Sequence, residues 1–189
     1  KSLEEMKMKR NNGITMVALI ITIILILILA GIPIGVGSKV IKQSELENLK
    51  TNMMLIKVKG KEYVENANFN LGTTFDKITD ENEKNSRIEK AKEKLKGEEV
   101  TSSNELDEKM GITESQFQED KSNLIFYYKL STQDLENMGI SKVESDSKNG
   151  FYIIKYDVKN AQIDIYNEKG FENQDKTYYT LNEIENLKI

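Results

Sequence analysis

Between Ile14 and Val36 the chain carries no charged side chain, and a helix over that run is about 35 Å long at 1.5 Å rise per residue. The hydrocarbon core of a bilayer is about 30 Å thick, so the run is long enough to cross it. A removable secretory signal has an apolar region of about 7–15 residues closed by a small-x-small site. Here Ala30 and Gly31 are followed by further Ile and Val, and the run reads as a retained span. Lys7, Lys9 and Arg10 precede it, with Glu4 and Glu5 further out. The positive-inside rule then leaves the N-terminus in the cytoplasm. Lys39 and Lys42 weaken that bias, but a long mixed-charge domain translocates largely regardless of its own charges. The expectation is a single-pass membrane protein with its C-terminal bulk outside the cell.

Residue types that are missing narrow the chemistry further. The 189 residues include no Cys and no His, which excludes thiolate metal sites, redox motifs, zinc centres and Ser-His-Asp triads. The exterior fold gets no disulfide staples. Net charge is −4, and the stretch from Lys1 to Gly13 is itself positive, so the rest is more acidic than the whole. Direct nucleic-acid binding is not expected of such a surface. No phosphate-cradling glycine loop is present, and no enzyme activity, cofactor or metal is expected. Asp157, Asp164 and Glu172 lie near strand turns without the spacing of a calcium loop.

Past the apolar run the pattern turns amphipathic. Leu46, Leu49, Met53, Ile56, Gly60, Tyr63 and Ala67 recur at alternating spacings of three and four, which makes one stripe on a helix. If the two segments are continuous, one helix of about 80 Å runs from Ile14 to Ala67. Gly31, Pro33, Gly35 and Gly37 gather helix-weakening residues between its halves. They describe an ordinary kinked exit from the membrane, a segment that unwinds when the chain leaves lipid, or a flexible linker to an unrelated helix. The organisation is therefore a basic leader over 1–13, an apolar half-helix over 14–36, its amphipathic continuation over 37–68 and a globular head over 69–189.

Within the head, a loop is expected from Asn68 to Thr79, then a surface helix from Thr79 or Asp80 to Leu95 with Gly97 in the stop position. Shorter helical turns are expected around Ser103–Gly111 and Thr113–Lys121. The last third reads as strands over 123–130, 151–158, 162–167 and 177–181, with Tyr152, Ile154, Tyr156 and Val158 on one face and Ile163, Ile165, Tyr179 and Leu181 inward. Turns are expected at 159–161 and 167–170, where Asn160 and Gly170 tolerate positive φ. Alternation would put half of Tyr127, Tyr128, Tyr178 and Tyr179 in the core and half on a wet face. Thr180 and Glu183 form a capping box for a terminal turn. Short connections favour an antiparallel meander, whose apolar face the stripe would cover. The fold class is α+β: a long N-terminal helix, half membrane-spanning and half amphipathic, packed on a small antiparallel sheet with short helices.

This arrangement resembles a type IV pilin or type II secretion pseudopilin, of the kind found in Gram-positive anaerobes. The specific likeness is the leader Lys9, Arg10, Asn11, Asn12, Gly13 followed by Ile14, Thr15, Met16, Val17, Ala18 and Leu19. The resemblance implies cleavage by a prepilin peptidase between Gly13 and Ile14, N-methylation of Ile14, and packing of the apolar helices into a filament. It also implies identical or related pilin subunits, a platform protein, an assembly ATPase and the lipid bilayer as partners, and local unwinding at Pro33. Ala18 stands where the family usually has a glutamate thought to pair with a neighbour's terminal amine. Either Thr15 or Thr22 partly solvates that amine, or the subunit occupies a minor, tip-like position where no pairing is required. The alternative function is an unprocessed, membrane-anchored extracellular binding module.

Overall fold

The computed structural model describes residues 22–23, 38–106 and 110–188. The chain divides into two compact units, Lys1–Pro33 and Ile34–Ile189. In the first, Thr22 and Ile23 are helical. Among the described residues no helix is long and apolar enough to cross a membrane.

The second unit opens with helix α1, Ser38–Leu71, whose 34 residues measure about 50 Å. It outlasts the expected end at Ala67 by one turn because Leu71, 3 % exposed, continues the apolar stripe. Gly72, at φ +84°, then ends it. Helix α2, Glu81–Lys92, is capped by Asp80, whose side chain accepts from the Asn82 and Glu83 backbone N–H groups. Gly97 follows at φ +104°, close against the Lys129 carbonyl.

Five strands follow in chain order across one sheet: β1 Glu98–Glu99, β2 Ile125–Leu130, β3 Tyr152–Asp157, β4 Gln162–Asn173 and β5 Lys176–Thr180. Every neighbouring pair is antiparallel. Helix α3, Glu114–Ser122, precedes β2; helix α4, Thr132–Asn137, follows it; helix α5, Leu181–Glu185, closes the described chain. Thr180 and Glu183 cap α5 reciprocally.

Three expectations are corrected. Residues 167–170 do not turn the chain. β4 runs through them to Asn173, and the reversal comes at Gln174 and Asp175, both at positive φ. Between the pairs Tyr166↔Thr180 and Phe171↔Tyr178, β4 bulges over residues 167–170 where β5 has Tyr179 alone. Buried Asn167 holds the bulge: its Oδ1 accepts from the Lys169 and Gly170 N–H groups at 3.2 and 3.0 Å, and its Nδ2 donates to the Gly150 carbonyl at 3.1 Å. Local turn chemistry is present there, spent on a bulge.

In the β3–β4 connection, Ala161 rather than Asn160 takes positive φ, because Asn160 is tied to Asp157 through its backbone N–H and its side chain. Tyr179 and Leu181 also part company. Leu181 begins α5 and joins the core beneath α1, whereas Tyr179 packs against the opposite cluster. Strand alternation ends at Thr180, so it no longer links the two.

Candidate assembly surface and buried charge cluster

The helix stripe lands on the sheet. Leu46, Met53, Ile56 and Ala67 are fully buried, Leu49 and Tyr63 are half-buried against the same core, and Ile154, Tyr156, Ile163 and Ile165 belong to it from the sheet. Gly60 permits the close approach: a Cβ there would lie 3.0 Å from Ile163 Cδ1 and 3.3 Å from Ile154 Cδ1. Val64 and Leu71 widen the stripe toward α2, whose Ala91, with Leu95 just beyond the helix, shares the cluster. A 3.6-residue period, in place of strict alternation of three and four, includes both positions.

Polar side chains on the flanks of α1 fasten it to the head. Lys50 Nζ donates to the Leu187 carbonyl at 3.0 Å. Asn52 Nδ2 donates to the Tyr152 hydroxyl at 3.3 Å. Lys61 donates to the Ala161 carbonyl, and Asn68 Nδ2 reaches the Val158 and Lys159 carbonyls, both at 2.9 Å. Lys159 in turn pairs with Asp76 just past α1, at 2.8 Å.

The opposite face is not wet. Val100, Leu106, Met110 and Phe117 form a second cluster with Tyr127 and Ile153, so the chain from Val100 through α3 roofs this side. Phe117 stacks on Tyr127 with ring centroids 5.6 Å apart. Tyr127 and Tyr128 are therefore both buried, on opposite faces, while Tyr178 and Tyr179 are half-buried.

Asp120 sits inside this roof, 4 % exposed. Its Oδ2 accepts from the Tyr127 hydroxyl at 2.5 Å and pairs with Lys155 Nζ at 2.8 Å; its Oδ1 accepts from Gln116 Nε2 at 3.0 Å. Burial disfavours the carboxylate, but the hydrogen bonds from Lys155, Tyr127 and Gln116 outweigh it and hold Asp120 below the ordinary aspartate pKa. Burial, reinforced by Asp120, pushes the Tyr127 phenol far up. Tyr166 is pushed up to about 12 by burial, with Asp164 and Asp120 adding to it. Sequence reasoning missed this cluster because its members meet only through the fold.

Among the described residues no group of three His, Cys, Asp or Glu side chains is placed to hold a metal ion. Asp157 serves the β3–β4 turn through Asn160. The leader residues Lys7, Lys9 and Arg10, the expected cleavage pair Gly13 and Ile14, and the helix-weakening Gly31, Pro33, Gly35 and Gly37 lie outside the described residues. No protein-family model, curated protein or solved structure matches this chain.

Proposed function

We propose that this chain is a structural, non-enzymatic subunit of a type IV pilus-like or type II secretion pseudopilus filament. In this reading a prepilin peptidase cuts after Gly13, and the subunit assembles through its apolar N-terminal run. The supporting observation is the seating of α1, which follows directly on that run and lies along a five-stranded antiparallel sheet by one stripe, Leu46 to Ala67. Such a helix joins an apolar segment to a compact head without an intervening independent module. Transfer from lipid to a filament core exchanges one apolar surrounding for another, so packing and backbone satisfaction decide the balance. The work of extraction comes from an external ATPase and its platform protein.

Mass spectrometry of the native protein tests the reading. An N-terminus at methylated Ile14, in sheared surface filaments, is the expected result. An intact leader on protein confined to membrane vesicles would replace it with the second reading, a membrane-anchored extracellular binding module. A polar groove beside the start of α1 is the observation that favours that second reading.

A further inference from the structure

A groove of about 590 Å³ opens between the first turns of α1, the loop carrying Lys142 to Asn149, and the β4 bulge. That volume falls within the range of about 300–1,000 Å³ usual for small-molecule sites. Elsewhere the head pairs its charges: Lys92 with Glu99 at 2.7 Å, Lys129 with Glu168 at 2.9 Å, Lys155 with Asp120 at 2.8 Å. Around the groove it does not. The ammonium groups of Lys42, Lys142 and Lys169 and the carboxylates of Glu45 and Glu172 enter no side-chain hydrogen bond or ion pair among the described residues.

Tyr152 supplies the buried element of the lining. It is 4 % exposed, and its hydroxyl accepts from Asn52 Nδ2 but donates to no acceptor among the described residues. Burial raises its pKa above the ordinary value, against a smaller opposing effect of the Asn52 bond, so the phenol keeps its proton near neutrality. A buried O–H is normally satisfied, and this one borders the groove.

Three ammonium groups and one phenol thus lack acceptors, while two carboxylates lack donors. A bare polyanion would be repelled by Glu45 and Glu172, and an uncharged sugar would leave the ammonium groups unmatched. One oxyanion flanked by hydroxyl groups satisfies both sets. We propose that this groove binds a polyol phosphate of the glycerol-phosphate type, its oxyanion held by the lysines and the Tyr152 hydroxyl, its hydroxyls donating to Glu45 and Glu172. Such a unit occurs in soluble or polymeric glycerol phosphates and in phosphatidylglycerol headgroups. The assignment stands whether or not the chain builds filaments.

The test uses the full chain in phosphatidylcholine nanodiscs, with the backbone amides of Lys142, Asn149 and Lys169 followed by NMR as glycerol phosphate, inorganic phosphate or glycerol is added. Glycerol phosphate should bind about tenfold tighter than either fragment, the equivalent of one further charge-assisted hydrogen bond. Tyr152→Phe should weaken it about five- to tenfold by removing one donor. The exposed pair Lys142→Gln and Lys169→Gln, which leaves the core untouched, should abolish it. Discs containing phosphatidylglycerol that reproduce the shifts without added ligand identify the lipid headgroup as the source. Shifts with the soluble ligand alone identify the free or polymeric form. Equal affinity for inorganic phosphate and glycerol phosphate, no shift with any probe, or binding that survives the double lysine replacement would overturn the proposal.

Discussion

On one face of the sheet, Ile154, Tyr156 and Ile165 meet the stripe of α1 in a layer made of apolar side chains and one glycine. On the other, Tyr127 and Ile153 are roofed by Phe117, Leu106 and Met110 around a buried carboxylate with three donors. The first face is held by area and shape. It tolerates small rearrangements but not charge. The second is small and gains little from area, so its closure depends on a polar cluster that stabilises only while every member is satisfied. One sheet therefore carries two covers that should respond differently to the same chemical insult.

The largest effect should come from placing charge under α1. Ile56 is fully buried, and Ile56→Asp should cost about 5 kcal/mol or more. That is comparable to the whole stability of a domain this size, so the variant should lose its cooperative transition in denaturant-monitored circular dichroism. A variant that kept its midpoint would show that α1 is not the cover that holds the sheet.

Second in size is the roof. Asp120→Ala leaves Lys155 without its partner and should cost about 2–3 kcal/mol, below the largest buried-pair losses because Lys155 keeps some exposure. Replacing the group together, Asp120→Leu with Lys155→Met and Tyr127→Phe, should return stability to within about 1 kcal/mol of the natural chain. The natural chain should also show an acid limb that the triple variant lacks. Asp120 has a depressed pKa, so its contribution is complete above the ordinary aspartate value of about 3.9 and is lost as pH falls through the lower folded value. On the alkaline side the sign reverses. Tyr166, raised to about 12, contributes below the ordinary tyrosine value of about 10, and that contribution is lost as pH rises toward 12. Near-ultraviolet circular dichroism and tyrosinate absorbance read the two limbs.

The smallest effect sharpens the description of the α1 seam. Gly60→Ala gains about 1 kcal/mol of helix preference and presses on the Cδ1 methyls of Ile163 and Ile154. Both are side-chain ends able to shift, so the net change should stay within about 1 kcal/mol. A loss above about 2 kcal/mol would mean the seam is rigid at that point.

The same contrast explains what could be read along the chain. The stripe of α1, the Asp80 cap and the Thr180–Glu183 capping box are local patterns, each written within a few turns, and each has its counterpart in the structure. α4 had such a mark as well, in the reciprocal bonds of Ser131 and Asp134, and was overlooked because it lies between strands. Asp120 and Lys155 carry no local signal, since they meet only when α3 folds over β3. The β4 bulge misled for the opposite reason: residues 167–170 have the composition of a turn, and only the buried Asn167 side chain, reaching Gly150, keeps the strand going. The expected processing and hinge residues fall outside the described chain, and the groove at Tyr152 follows from tertiary placement alone.

The bonds from Lys50, Lys61 and Asn68 reach backbone carbonyls at separated places on the head, the chain end near Leu187 and the β3–β4 connection. A tug along the helix axis would load these links together, as lashings share the strain on a spar, and no single one would have to bear it first.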